Sequence, residues 1–312
     1  MRITGGLLGM TGQGAGSKNK YLPYRVVDWF LRHSLRALPV SLWTEKCALW
    51  WGYRFQPEPA VTTLRSGAKI QVTHADHLQL LIYYLGTFES YCLPFLRTCA
   101  GKGGTVVDVG ANIGFYTLES AIAVGSRGRV ISIEAAPRHL ESLRQNLELN
   151  NMKNVSVVGA AVGDAVGQAT LTLPRGDNLG MFTLGEVEGE ETYSVTINTI
   201  DDLLEKQGVQ SVSLVKMDIE GSEFRALRGA AKTFQKFRPS LLIELNDLAL
   251  RRCGSSSQAV RDLLKEMGYR GWRIGRDAVD VLADDNVGGD CDECLYIHLT
   301  NRSLMQKLGL PL

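Results

Sequence analysis

The stretch Asp108-Val-Gly-Ala-Asn-Ile-Gly114 follows a short apolar run, Thr105–Val109, and precedes a helical pattern. A buried strand, a glycine-rich turn and a helix in this order are typical of the first unit of an open parallel sheet. Gly110 and Gly114 lack side chains where the backbone must turn tightly or approach a ligand. A dinucleotide-binding turn would read G-x-G-x-x-G, but the second glycine position is Asn112. The turn therefore does not indicate a pyrophosphate site.

The same alternation of strand and helix continues toward the C-terminus. Predicted strands are Thr105–Val109, Val130–Glu134, Val155–Val158, Leu214–Asp218 and Ser240–Leu245, with Trp272–Ile274 and Leu295–Leu299 as edge strands. Predicted helices cover Tyr116–Val124, a segment beginning at Pro137, and one continuous segment that buries Phe224, Leu227, Ala231 and Phe234. This order predicts an α/β fold with a mostly parallel sheet and helices on both faces.

Two acids stand where such a sheet binds ligands, at the carboxyl ends of its strands. Asp108 could receive an ammonium group such as that of a methionine moiety, or it could only cap backbone amides. Glu134 ends the next strand, where a carboxylate can accept both ribose hydroxyls of an adenosine. Enzymes that use NAD share this acid, so Glu134 indicates nucleoside binding rather than one reaction.

Several blocks in order resemble the FkbM family of methyltransferases. They are Gly86-Thr-Phe-Glu89, Val106-Val-Asp-Val-Gly-Ala-Asn-Ile-Gly-Phe-Tyr-Thr117, Asn178-Leu-Gly180, Val195-Thr-Ile-Asn-Thr-Ile-Asp201, Lys216-Met-Asp-Ile-Glu-Gly-Ser-Glu223 and Leu227-Arg-Gly-Ala230. The resemblance implies a Rossmann-like class I methyltransferase sheet of seven strands. It also implies S-adenosylmethionine as methyl donor and O-methylation of a sugar, glycolipid or natural-product hydroxyl.

The resemblance also implies roles for individual residues. The implied cofactor-binding residues are Glu89, Asp108, Gly110, Ala111, Asn112, Gly114, Glu134, Ala135, Asp164 and Asp218. The adenine contact stays open between Asp164 and the backbone near Gly159-Ala-Ala161. The hypothetical general bases are Glu220, Asp218 and Glu244, of which Glu220 is preferred, because each acid ends a central strand. The alternative for Glu220 is that the segment to Glu223 only organises the start of a helix. We expect His139 on the surface.

Residues 21–55 differ from the remainder, since four of the five tryptophans lie there. The helical pattern from Tyr24 to Arg36 combines Val27, Phe30 and Leu31 with arginines, which is typical of a peripheral membrane contact. The more ordinary interpretation is a helix that packs on the body as a lid or dimer contact. We expect a leader and helical extension at 1–60, a hairpin and helices at 61–100, the methyltransferase domain at 101–300 and a tail at 301–312. The insertion from Asp164 to Ser194 is predicted to be a mobile lid.

Composition narrows the function classes. The chain is 45% hydrophobic and 21% charged, as in ordinary globular proteins, and a formal net charge of +1 argues against nucleic-acid binding. Scattered cysteines and the lack of a long apolar run favour a cytoplasmic protein, and the lone Cys291-Asp-Glu-Cys294 motif does not predict a metal site. The expected partner is a small-molecule or saccharide acceptor, and the oligomeric state is open. The alternatives are an NAD-dependent dehydrogenase and a noncatalytic binding module on the same fold.

Overall fold

The computed structural model describes residues 22–55, 58–72, 76–174, 189–276, 278–282 and 291–311. The predicted leader and the Asn178-Leu-Gly180 block lie outside these residues. Helices in the described part are α1 (Leu22–Ala37), α2 (Leu42–Phe55), α3 (His77–Leu85), α4 (Leu93–Ala100), α5 (Phe115–Val124), α6 (Pro137–Leu149), α7 (Ile200–Lys206), α8 (Glu223–Arg228), α9 (Ala231–Phe237), α10 (Asp247–Arg252), α11 (Ser257–Glu266) and α12 (Arg302–Lys307). Strands are β1 (Ala60–Thr63), β2 (Lys69–Val72), β3 (Thr105–Val109), β4 (Arg129–Glu134), β5 (Val155–Gly159), β6 (Ala161–Val162), β7 (Gly167–Pro174), β8 (Gly189–Asn198), β9 (Leu214–Met217), β10 (Ser240–Asn246), β11 (Tyr269–Ile274), β12 (Val279–Val281) and β13 (Cys291–His298).

The central sheet confirms the predicted architecture. Within the described residues its order is β12-β11-β13-β10-β9-β3-β4-β5. The five strands from β10 to β5 are parallel, whereas β13, β11 and β12 pair antiparallel at the other side. The chain runs outward from β3 to β5 and then returns to β9 on the opposite side of β3. This reversal creates the crevice in which open α/β sheets bind ligands.

The antiparallel end of the sheet corrects one prediction. The segments Trp272–Ile274 and Leu295–Leu299 were both expected at the edge, but β11 lies between β12 and β13, and β13 lies between β10 and β11. Its residues Cys294–Ile297 are all buried, which is the pattern of a strand covered on both faces. The short strand β12 occupies the edge instead and adds an eighth strand to the predicted seven.

A second correction concerns the predicted single helix from Phe224 to Phe234. The chain forms two short helices, α8 and α9, separated at Gly229. A side chain at Gly229 would lie 2.0 Å from the Gly163 carbonyl oxygen, so the backbones meet there. The Asp201 carboxylate then accepts bonds from the Lys232 and Thr233 amides at the start of α9. This local cap explains why the helix restarts.

Helices cover both faces of the sheet. A buried apolar core joins one face of the strands to α7–α11, while α4 and α5 contact β9 and β3 on the other. A smaller sheet of order β6-β8-β7 forms the base of the predicted insertion. The mobility of that insertion stays a prediction, and residues 175–188 lie outside the described part.

The chain divides into two compact units, Met1–Thr62 with Val72–Thr87, and Thr63–Gln71 with Phe88–Leu312. The first contains α1, α2 and α3, and the second contains the central sheet. The hairpin predicted at the start of the segment 61–100 is present as β1 and β2. The predicted boundaries at residues 60, 100 and 300 stay predictions. No helix in the described part of the chain is long and apolar enough to cross a membrane.

Candidate functional site

A cavity of about 650 Å³, partly open to solvent, lies beyond the carboxyl ends of β3, β4 and β9. Six predicted site residues line it, namely Gly110, Asn112, Glu134, Ala135, Asp218 and Glu220. The structure thus brings the turn after β3, the end of β4 and the loop after β9 together around one space.

The turn after β3 depends on Gly110. Its φ angle of 82° lies in the left-handed region, and a Cβ there would stand 1.8 Å from the Asp218 carbonyl oxygen. Side chains are excluded on both counts. The amides of Gly110 and Ala111 donate to the Ile133 carbonyl, at 2.9 and 3.1 Å. The turn is therefore fixed against β4 on one side and against the loop after β9 on the other.

Glu134 is held in place by two backbone amides. Its Oε2 accepts from the Asn112 amide at 2.8 Å, and its Oε1 accepts from the Ala136 amide at 2.7 Å. A carboxylate has about four lone-pair positions, so each oxygen can still accept a hydrogen bond from a ligand hydroxyl in the cavity. Burial raises the pKa of Glu134 to about 7, although the amides act in the opposite direction. The ionised carboxylate is the form that can accept two ribose hydroxyls.

Another part of the cavity lining is apolar. Ala160, Ala161, Val162 and Leu171 line it, the last of them from β7 at the base of the insertion. His139 also lines the cavity and is only 7% exposed, so the prediction of a surface histidine was wrong. Its Nδ1 lies 3.9 Å from Glu134 Oε1. The first turn of α6 places it there, which the apolar pattern of that helix did not show.

Two acids in or next to the loop after β9, Glu223 and Glu220, have different roles. Glu223 is buried, and its Oε1 accepts from the Ile219 and Gly221 amides at 3.0 and 3.2 Å. Glu223 therefore organises the loop. Glu220 instead lines the cavity, with a left-handed φ of 52° that is uncommon for a non-glycine residue. Burial, with the nearby charges of Asp218 and Glu223, raises the pKa of Glu220 to about 8.

A buried charge cluster, here called the Lys216 cluster, adjoins the cavity through Asp218. It consists of Glu89, Tyr116, Lys216, Asp218 and Glu293. Lys216 Nζ lies 3.8 Å from both Asp218 Oδ2 and Glu293 Oε1 and 4.9 Å from the centre of the Tyr116 ring. The Tyr116 hydroxyl donates to Glu89 Oε2 at 2.6 Å.

The protonation of the cluster follows from burial and mutual attraction. Burial alone would lower the pKa of the Lys216 ammonium, but the carboxylates of Glu293, Asp218 and Glu89 hold it well above its usual range. Burial and the charge of Glu293 raise the pKa of Glu89. Sequence reasoning missed Lys216, Tyr116 and Glu293. A lysine inside the apolar strand Leu214–Met217 was the available signal, because an isolated buried charge requires partners.

The other predicted residues lie outside the cavity lining. Asp108 is 1% exposed, and its Oδ2 accepts from the Thr117 hydroxyl at 2.5 Å. Burial raises its pKa to about 6. Asp164 is exposed and pairs with Arg228 at 3.3 Å. Direct ligand contacts for both acids stay predictions.

Glu89, Ala111, Gly114 and Glu244 are placed around the cavity rather than on its wall. Gly114 precedes α5, and a Cβ there would meet Leu143 at 2.6 Å. Ala111 is buried, and its amide donates to the Ile133 carbonyl. Glu244 on β10 lies directly opposite Glu293 on β13, so it is next to the Lys216 cluster. Its role as a base stays a prediction.

Two groups of residues resemble metal ligands. Donor atoms of Glu89, Cys92 and Glu293 lie within 4.8 Å of one another. Lys216 already supplies a positive charge to Glu293, and burial raises the pKa of the Cys92 thiol well above its usual range. Both facts disfavour a cation there. Cys294 is buried in the apolar core, and the Cys291 side chain lies outside the described part.

The strand order, the glycine turn after β3 and the acid at the end of β4 define the Rossmann-like fold of class I methyltransferases. Residues 108–270, more than half of the 312-residue chain, match the family described as the methyltransferase FkbM domain. The chain belongs to this FkbM family.

Individual relatives are distant. Methyltransferase 1 of Beauveria bassiana (strain ARSEF 2860) is 26% identical over 161 residues, which cover 46% of this chain and 64% of that protein. Methyltransferase sdnD of Sordaria araneosa is 23% identical over 169 residues, which cover 45% of this chain and 65% of that protein. The match thus spans less than two thirds of the length of these relatives. The crystal structure of methyltransferase FkbM from Methylobacillus flagellatus KT aligns with 88% of this chain and 59% of that chain, at 18% identity and a TM-score of 0.41.

Proposed function

We propose that this protein transfers a methyl group from S-adenosylmethionine to a hydroxyl on a sugar, glycolipid or natural-product acceptor. The observation that carries the proposal is the Glu134 carboxylate, fixed by two amides on the wall of a cavity at the reversal point of the sheet. Family membership supports methyl transfer. The choice of oxygen as acceptor atom rests on the resemblance.

The donor set of the cavity fits S-adenosylmethionine. Glu134 offers acceptors for the ribose diol, and the apolar wall from Ala160 to Val162 suits an adenine ring. The turn at Gly110 and Asn112 lines the same cavity, and we assign the methionine part of the cofactor to it. When bound, this cofactor supplies a reactive methyl group on a sulfonium, so that positioning provides much of the catalysis.

The acids of the loop after β9 would act on the acceptor. Glu220 lines the cavity, and its ionised form can take the proton of an acceptor hydroxyl. Its raised pKa makes it a better base above about pH 8 than at neutral pH. Asp218 also lines the cavity and is ion-paired with Lys216, which fixes its direction. Glu220 is therefore the proposed base and Asp218 a positioning group.

Calorimetric titration of the full chain with S-adenosylmethionine, S-adenosylhomocysteine and NAD tests the cofactor. We expect the first two ligands to bind and NAD to leave the heat signal unchanged. Binding of NAD with no response to the other two would refute the proposal. Transfer of a labelled methyl group to a saccharide or an aminosugar, with the methylated atom of the product located by NMR, then separates oxygen from nitrogen as the acceptor atom.

A further inference from the structure

Helix α1 directs Asp28, Arg32 and Arg36 toward the interior of the first unit. Asp28 accepts bonds from the Tyr83 and Tyr84 hydroxyls at 2.8 and 2.6 Å. Arg32 donates to the Thr62 hydroxyl at 2.9 Å and lies over the Tyr83 ring at 4.7 Å. Charged residues of α1 therefore make hydrogen bonds inside the first unit.

The opposite side of α1 is apolar and exposed. Val26, Val27, Trp29 and Phe30 are 58%, 45%, 59% and 65% exposed. Helix α1 packs against α3, but the expectation that its aromatic stripe faces the core was wrong. A role of the helix as a lid or dimer contact stays a prediction. Arg36 donates to the carbonyls of Ile82 and Tyr83 from the inner side of the helix. Within the described part of the chain, the apolar stripe is left exposed.

Helix α2 repeats this arrangement. Leu42, Trp43, Trp50 and Tyr53 are 58%, 63%, 67% and 42% exposed. At about 100° per residue, these four side chains share roughly a third of the helix circumference. We call these four residues, together with Val26, Val27, Trp29 and Phe30, the aromatic face.

Exposed charges on the two helices have one sign. Among the described side chains of α1 and α2, the exposed charged groups are Arg25, Lys46 and Arg54. The acids are withdrawn, since Glu45 is 9% exposed and Asp28 is bonded internally. The helical period places Lys46 within the apolar arc of α2, with Arg54 at its edge. Tryptophans beside basic groups suit the boundary between anionic headgroups and acyl chains.

We propose that the aromatic face binds the surface of an anionic lipid bilayer. The tryptophan and phenylalanine rings enter the headgroup boundary, and Arg25, Lys46 and Arg54 pair with lipid phosphates. The occupant follows from charge complementarity, because every exposed charge on these helices would attract an anionic surface. This proposal does not depend on the proposed methyl transfer.

Co-sedimentation of the full chain with sucrose-loaded vesicles tests the proposal. We expect binding to phosphatidylcholine vesicles that contain phosphatidylglycerol, weaker binding to phosphatidylcholine alone, and loss of the difference at high salt. The double variant Trp29→Ser/Phe30→Ser should lower the partition coefficient for mixed vesicles at least about tenfold. The pair Arg25→Glu/Lys46→Glu should lower binding to mixed vesicles by at least about tenfold, since each basic residue contributes roughly fivefold.

Matched controls change equally exposed residues of the second unit. Val166→Ser/Leu248→Ser removes apolar side chains that are 63% and 57% exposed, and Lys153→Glu/Lys232→Glu reverses exposed charges. Both control pairs should bind vesicles as the wild type does. The melting temperature of each variant confirms that it is folded.

Two results would overturn the proposal. One is wild-type protein that stays in the supernatant with mixed vesicles. The other is a change of molar mass in light scattering when Trp29 and Phe30 are replaced, with vesicle binding unaffected. The second result would assign the aromatic face to a contact between copies of this chain.

Discussion

Replacing Glu134 by glutamine changes one atom on the cavity wall and removes one charge. The carboxylate accepts from the amides of Asn112 and Ala136, one on each oxygen. Glutamine keeps one acceptor and turns an NH₂ group toward the other amide. One buried amide is then left without an acceptor, and the ribose loses a charge-assisted bond.

The magnitude follows from these two losses. A hydrogen bond to a charged group contributes about 1.5–3 kcal/mol, and each 1.4 kcal/mol is a factor of ten in affinity. We therefore expect the affinity for S-adenosylhomocysteine to fall about 10- to 150-fold in Glu134→Gln. The change at the amide affects the free and bound protein alike, so it contributes to stability more than to binding.

Calorimetry with S-adenosylhomocysteine at pH 8, where Glu134 is mostly ionised, measures this loss. The pKa of Glu134 is raised to about 7, so the acceptor form is depleted as the pH falls below that value. Wild-type affinity should therefore rise between about pH 6 and pH 8, and Glu134→Gln should lack this component. Glu141→Gln, an exposed acid on α6, is the control and should bind as the wild type does.

A Glu134→Gln variant that binds within about threefold of the wild type would refute the reasoning. So would an equal loss in Glu141→Gln, because that acid lies outside the cavity lining.

Turnover of the wild type should increase with pH through about 8, as Glu220 loses its proton. Glu220→Gln should turn over about 100-fold more slowly, with a rate that does not depend on pH in this range. A variant whose pH profile of turnover in steady-state assays matches that of the wild type would exclude this base. Gly110→Ala should destabilise the fold by at least about 3 kcal/mol in urea titrations, because the φ of Gly110 is 82° and the added Cβ meets a carbonyl oxygen. The control Gly167→Ala, with open space around it, should be about as stable as the wild type. Lys216→Met should cost about 3–5 kcal/mol of stability by leaving Glu293 without its counter-charge, and adding Glu293→Gln should restore part of it; a double variant no more stable than the single one would contradict this pairing.

The sequence predicted the parallel half of the sheet well, because its strands are short apolar runs that alternate with helical periods. The strand Thr105–Val109 was located at its observed bounds. The antiparallel side was harder, since an apolar run such as Leu295–Leu299 does not show whether neighbours cover one or both of its edges. Only the pairing of β13 with β10 and β11 decides this.

Side-chain partners explain the remaining differences. The pattern of α1 correctly predicted a helix but not which side faces inward, because the bonds of Asp28 are made to residues 55 and 56 positions away. The same holds for the Lys216 cluster, where Glu293 is distant in sequence from Lys216. The cavity residues Gly110 and Glu134 were predictable because strand ends converge in parallel sheets. His139 was not, since its position depends on the placement of α6.

The contact between Gly110 and the Asp218 carbonyl has a consequence for engineering this protein toward new acceptors. The turn after β3 and the loop that carries Glu220 meet backbone to backbone at this contact. Substitutions in either segment would displace the other. Most members of a library that varies one of them would therefore lose the proposed cofactor contact and the proposed base together. Leu171 enters the same cavity from a separate hairpin. Diversity introduced there can reshape the space for a substrate while the two coupled segments keep their spacing.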